Sequence, residues 1–132
     1  MDVLKVYRGY RHIELHNNDA SKSMGVRGIC EVTVNEQPLK SVNKIKGYAE
    51  PFEWGCINSA STNLAESILS DYLNMDLVLE ELYIPFRNEV VAYLGLGCWQ
   101  IEEWQLNEWL QSRIQTLQES MNGIELVEEE QD

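Results

Sequence analysis

Beyond residue 49 this chain has almost no positive charge. Arg87 and Arg113 are the only basic side chains there, against seventeen Asp and Glu. Residues 1–49 hold eight Lys and Arg against five Asp and Glu, so the overall −12 divides into +3 and −15. Phosphate contacts need a concentrated basic surface, and the C-terminal part would repel nucleic acid; direct nucleic-acid binding is therefore disfavoured. Cysteine is scarce as well. Cys30, Cys56 and Cys98 are odd in number, far apart and without a Cys-x-x-Cys pair. They read as reduced thiols of a cytoplasmic protein, with one intermolecular bridge left open. No run approaches the roughly 18 apolar residues of a membrane span, and Met1-Asp2-Val3-Leu4-Lys5 lacks the apolar core of a signal peptide. What is present is enough for one core: 132 residues, 44% of them hydrophobic, fold without disulfide or metal.

Val3 to Arg8 is short, β-branched and aromatic, a first strand that Gly9 ends. Residues 17–28 are polar and turn-rich and read as a loop. Ile29 to Val34 alternates as a second strand, with Cys30, Val32 and Val34 on one face. Asn35-Glu36-Gln37-Pro38 is a turn, and Leu39 to Lys46 a weaker third strand. Helices follow. Ser59 or Ser61 is the expected N-cap of the first, whose apolar stripe is Leu64, Ala65, Ile68, Leu69 and Tyr72, with Glu66 off it. A second helix is expected over about Asp76 to Tyr83, with Leu79, Leu82 and Tyr83 inward. Pro85 then marks a kink or a new first turn leading through Phe86, Val90, Val91 and Leu94. The last helix runs from near Glu102 to about Met121. Leu106, Trp109, Leu110, Ile114, Leu117 and Met121 form its buried stripe, and Asn122-Gly123 stops it. The fold expected is α+β: a small antiparallel sheet of two or three strands packed against three or four helices. It forms a single globular domain over 1–124, followed by an acidic, disordered tail at 125–132.

Phe52-Glu53-Trp54-Gly55, leading to Ser59 and then Leu64-Ala65, is the most specific stretch. It resembles a bacterial and phage family known as domain of unknown function 6166, whose pattern is F-E-W-G-Y-G-G-S-G-P-A-x-L-A. The likeness extends upstream to Val6-Tyr7-Arg8-Gly9 and to Val32-Thr33-Val34-Asn35 with Pro38-Leu39. Downstream it takes in Tyr83, Phe86, Val90-Val91, Leu94 and Trp99, and closes at Trp109-Leu110. Three glycines and the proline of the family pattern are replaced within Cys56-Ile57-Asn58-Ser59-Ala60-Ser61, which stiffens the loop and removes a glycine-dependent binding role. The resemblance implies no activity, cofactor or catalytic residue. Its one functional implication is an origin in phage or mobile DNA.

The chemical candidates are thin. His12 and His16 could share a metal with Glu14 only on a helix; residues 10–16 read as strand or loop, so no metal site is expected. Cys56 with His12 or His16 as base, or Glu50 and Glu53 as an acid–base pair, are the enzymatic alternatives. A cysteine in an aromatic loop is more often packing, and paired glutamates are common in an acidic chain. Leu94-Gly95-Leu96-Gly97 lacks the third glycine and the Lys-Ser or Lys-Thr of a phosphate loop. Phe52, Trp54, Gly55 and Ser59 form a structural loop, with Trp54, Trp99 and Trp109 as core.

Trp104 differs from the other tryptophans. It lies two residues before Leu106, about 200° round the helix from the buried stripe. Beside Glu102, Glu103 and Glu108 it has the make-up of a protein-binding hot spot with an acidic rim, unless it folds as a staple over Trp99 or the preceding loop. The function expected is that of a non-enzymatic, acidic protein-binding factor of phage or mobile-element type. It would act as an anti-defence inhibitor, anti-CRISPR-like, occupying the basic nucleic-acid-binding surface of a defence complex. No cofactor, membrane or direct nucleic-acid contact is expected, and monomer and dimer both stay open. A small enzyme and a self-associating module, built on Trp104 and the hydrophobic end of the last helix, are the alternatives.

Overall fold

The computed structural model describes residues 4–18, 23–48 and 51–130, with side chains at 4–12, 29–48 and 51–121. The chain divides into two compact units, residues 1–100 and 101–132.

The first unit is built on a long hairpin. Strands β1 (Val6–Asn18) and β2 (Ser23–Val34) pair antiparallel from Tyr7 opposite Val34 to Asn18 opposite Ser23. Both outrun the expectation from sequence, in which Gly9 ends β1 and residues 17–28 form a loop; residues 19–22 of that loop lie outside the described residues. A hairpin ladder is held by backbone hydrogen bonds, so it continues through polar residues that carry no apolar alternation. β3 (Gln37–Pro38) is a two-residue strand joined to β2 by Asn35 and Glu36. Both of these have positive φ (48° and 70°), as a tight hairpin turn requires. Pro38 therefore sits on an edge, where a missing ladder N–H is tolerated. The sheet order is β3-β2-β1-β4, with β4 at Trp99–Glu102.

Leu39 to Lys46 does not return as a strand. Ser41 caps the N-terminus of a single helical turn, α1 (Val42–Ile45), by accepting from the Lys44 N–H. The central helix is α2 (Ser59–Leu73). Its N-cap is Asn58, not a serine: Asn58 and Ser61 each accept the other's backbone N–H in a capping box, and Ser59 is the exposed first helical residue. Asn74 ends the helix in the left-handed region. Leu64, Ala65, Ile68 and Leu69 are completely buried, as the 3.6-residue period requires.

The other side of α2 is buried as well, which a single stripe does not anticipate. The Asn63 amide oxygen accepts from the Asn43 N–H and the Ser67 hydroxyl, while its nitrogen donates to Ser41 and to the Pro51 carbonyl. Glu66 is only 4% exposed, and Lys46 pairs with it at 3.0 Å. Each polar group that enters this interior has a partner, which offsets its desolvation.

α3 (Glu80–Glu89) begins later than the sequence reading has it and contains Pro85 in its interior. Leu79 is its exposed N-cap rather than an inward residue, and a 3-10 turn (Val91–Tyr93) follows. One missing N–H is tolerated because Phe86 and Val91, at 1% and 0% exposure, anchor the chain just beyond the proline.

The second unit is the end of β4 and the 28-residue helix α4 (Glu103–Glu130). The Gln105 side chain reaches back to accept the Glu102 N–H, half of a capping box. Leu106 and Leu110 are buried, and Trp109 and Leu117 half-buried. Ile114 and Met121 are exposed, at 43% and 62%, so the expected stripe is covered only over its first two turns. The helix continues through Asn122-Gly123, where the sequence reading stops it and starts the tail. One glycine costs only about 1 kcal/mol in a helix interior, and the surrounding Met, Glu and Leu favour helix. Among the described residues, no helix is long and apolar enough to cross a membrane.

Candidate functional site

Tyr7, Gly9 and Arg11 occupy alternate positions of β1 and so share one face of the sheet. Cys30, Val32 and Val34 stand opposite them on β2. The aromatic loop Phe52-Glu53-Trp54-Gly55 is coupled to this face. Arg11 forms a two-pronged ion pair with the Glu53 carboxylate, donates to the Leu96 carbonyl and places its guanidinium 5.0 Å from the Trp54 ring centroid. Glu53 also accepts the Trp54 N–H at 3.0 Å and the Cys30 thiol at 3.5 Å.

Trp54 is fully buried and meets Trp99 edge to face, ring centroids 5.5 Å apart. Neither indole N–H has a hydrogen-bond partner among the described residues. Trp99 in turn lies on the strand at Gly9. A Cβ there would come within 2.2 Å of its ring, so only glycine admits it. Gly55 has φ +74°, donates its N–H to the Val91 carbonyl, and has Leu96 where a Cβ would project.

The electrostatics follow from these contacts. Burial alone would raise the Glu53 pKa, but Arg11 and the Trp54 N–H outweigh it and hold the carboxyl below its ordinary value. Glu53 pushes the Arg11 pKa up. The Cys30 thiol is pushed up to about 11, first by burial and then by the Glu53 charge. At neutral pH Glu53 is thus ionised and occupied by Arg11, which suits a brace and not a general acid. Cys30 is a protonated thiol without nucleophilic character. Glu50, the other half of the proposed acid–base pair, lies outside the described residues.

A cavity of about 330 Å³ opens beside this brace, lined by Ile29, Cys30, Pro51, Phe52, Glu53 and Asn58 among others. Cys56 is half-buried, and its sulfur accepts from the Asn58 amide at 3.4 Å. Among the described residues no hydrogen bond joins Cys56 to His12. His12 lies on β1 and pairs with Glu31 at 3.1 Å. The side chains of Glu14 and His16 fall outside the described residues. No three His, Cys, Asp or Glu gather to hold a metal among those that are described.

The second candidate lies wholly in the 101–132 unit. Trp104 is 61% exposed, and its indole N–H donates to the Glu102 carboxylate at 2.8 Å. Glu108 sits one turn further along the same face. Glu103 and Glu108, five residues apart, diverge by about 140°. The four residues therefore do not share one face: Glu102 and Glu108 flank the indole, and Glu103 lies round the helix. Sequence reading missed Arg11. The signal was there, since a cation at the alternate position shared by Tyr7 and Gly9 faces inward and needs a carboxylate.

The fold and this site define a small α+β protein whose aromatic loop is braced to a glycine-bearing hairpin by one arginine–glutamate pair. The model of a family of unknown function, DUF6166, matches residues 7–112, and the chain belongs to that family. No curated protein and no solved structure matches it.

Proposed function

We propose that this protein acts by binding another protein, with Trp104 as the anchor and Glu102 and Glu108 as its acidic flank. The observation that carries the reading is the 61% exposure of Trp104 while its N–H is held by Glu102. An indole fixed in orientation and open to solvent loses little conformational freedom on binding and removes a large apolar area from water. The charge around it selects the partner. Residues 101–132 carry nine Asp and Glu against Arg113 alone, a field that steers basic surfaces toward the helix. The partner class that fits is a nucleic-acid-handling complex, in keeping with an anti-defence, anti-CRISPR-like factor of phage or mobile elements that blocks a nucleic-acid channel.

Affinity purification of the tagged chain from an expressing cell, with mass spectrometry, tests the reading. A partner that binds nucleic acid should be captured, and added DNA or RNA should displace the chain from it. Trp104→Ala should weaken capture by roughly 30-fold, the effect of a hot-spot residue of about 2 kcal/mol. Charge reversal at Glu102, Glu103 and Glu108 should abolish it. A partner retained by both variants, or one indifferent to nucleic acid, would refute the proposal.

A further inference from the structure

α4 carries a second surface that neither the aromatic loop nor Trp104 uses. Asn107, Leu110, Ile114, Leu117 and Met121 follow one another at alternating spacings of three and four residues. This is the 3.5-residue period of a coiled-coil seam, with Asn107, Ile114 and Met121 at a positions and Leu110 and Leu117 at d. Leu110 is buried within its own chain, so the part of the seam open to a partner is Asn107, Ile114, Leu117 and Met121, with Ile114 43% and Met121 62% exposed. We propose that this seam pairs with the same seam of a second copy of the chain, as a short parallel two-stranded coiled coil.

Two observations favour a second copy over the basic partner proposed above. The first is charge. Between Asn107 and Met121 the e and g positions flanking the seam are Gln111, Arg113, Gln118 and Ser120, while Glu108 and Glu119 fall at b and f, away from it. In a unit this acidic, the strip from 107 to 121 is where two copies can approach with no carboxylate facing a carboxylate. It equally offers a basic partner nothing to pair with. The second is side-chain shape. A β-branched residue at a with leucine at d favours two parallel strands, and a single asparagine at a sets register at some cost in stability. Ile114, Leu117 and Asn107 meet those conditions.

The paired stretch from Asn107 to Met121 is about 22 Å long, two heptads. Such a seam lies at the small end of interfaces, so the dimer is a weak one, with Kd on the order of micromolar or above. The pairing stands independently of partner capture through Trp104.

Sedimentation equilibrium on the full chain, from about 10 µM to about 1 mM, reads the proposal directly. The expected result is a monomer–dimer equilibrium. Ile114→Glu and Met121→Glu alter exposed positions, so each should leave the helical circular dichroism of the monomer unchanged while raising Kd at least about tenfold. Asn107→Val should tighten association. Met121→Cys should form a disulfide-linked dimer above the background of the wild-type thiols, which parallel a-to-a contact permits and antiparallel pairing does not. A chain that stays monomeric at 1 mM, or a dimer indifferent to both glutamate variants, would overturn the proposal. Failure of Met121→Cys to cross-link would overturn its parallel arrangement.

Discussion

Replacing Gly9 by alanine adds a single methyl group and should be among the most damaging small changes available in this chain. The new Cβ would lie 2.2 Å from Trp99 Cε2 and Nε1 and 2.6 Å from Cζ2, where ordinary contact is about 3.5–4 Å. Relief requires a shift of more than about 1 Å by the indole or by the strand. The indole cannot yield easily, because its other neighbour is the fully buried Trp54, itself under Arg11. The strand is held on one side by the β2 ladder. Overpacking costs about 1–3 kcal/mol where neighbours adjust, and losing a tryptophan from a core about 3–5. We expect about 3 kcal/mol, or a fall in Tm of about 10 °C for a chain of this size. Thermal unfolding by far-ultraviolet circular dichroism reads it. Gly95→Ala is the control: nothing lies within 4 Å of its Cβ, and its Tm should barely move. If Gly9→Ala melts within about 2 °C of the wild type, the packing of Trp99 on the strand is not what the geometry says it is.

Glu53→Gln should destabilise by about 1 kcal/mol, since Arg11 loses a charged partner at a half-buried site. The pH dependence has a definite sign. The carboxyl is held below its ordinary 4.5 only in the folded state, so its stabilisation is complete above that value and disappears as pH falls through the depressed one. The wild-type advantage over Glu53→Gln should therefore be constant near neutrality and shrink below about pH 4 in urea titrations; an unchanged gap down to pH 3 would contradict the pairing. Cys30, with its thiol pushed to about 11, should resist iodoacetamide at pH 8 while the exposed Cys98 is modified, and Glu53→Gln should quicken its labelling. Equal rates at the two cysteines in the native protein would refute the assignment.

The parts legible in the sequence are those in which one physical requirement dominates. The stripe of α2 is such a case: Leu64, Ala65, Ile68 and Leu69 face inward because no other arrangement of that helix buries them. The pairing of Cys30, Val32 and Val34 on one face of β2 is another. What escaped notice depended on a partner distant in the chain. Gly9 looks like a strand terminator until Trp99, ninety residues later, is seen to need the space. Asn58 caps α2 because Ser61 answers it, which removes Ser59 from the role. Pro85 looks like a break, but packing at Phe86 and Val91 holds the helix across it. Glu66 looks like a solvated residue until Lys46 brings a countercharge into the interior.

In Phe52-Glu53-Trp54-Gly55, the stretch that resembles the family most specifically, the Glu53 carboxylate and the Trp54 and Gly55 main-chain N–H groups are engaged within the chain, while the buried Trp54 indole N–H has no hydrogen-bond partner among the described residues. Glu53 is bound by Arg11, Trp54 is buried under it, and the Gly55 N–H is bonded to Val91. A group whose hydrogen-bonding capacity is filled internally has little to offer a ligand, so the Glu53 and Gly55 positions of the motif are explained by folding. Under the binding function we propose, recognition comes from groups the fold leaves open. Trp104 with its carboxylate flank is one such group, and the apolar seam at Ile114, Leu117 and Met121 is another. They differ in charge along a single helix, so salt should distinguish them. Raising ionic strength weakens attraction between the acidic flank and a basic partner, yet leaves apolar pairing along the seam intact or strengthened.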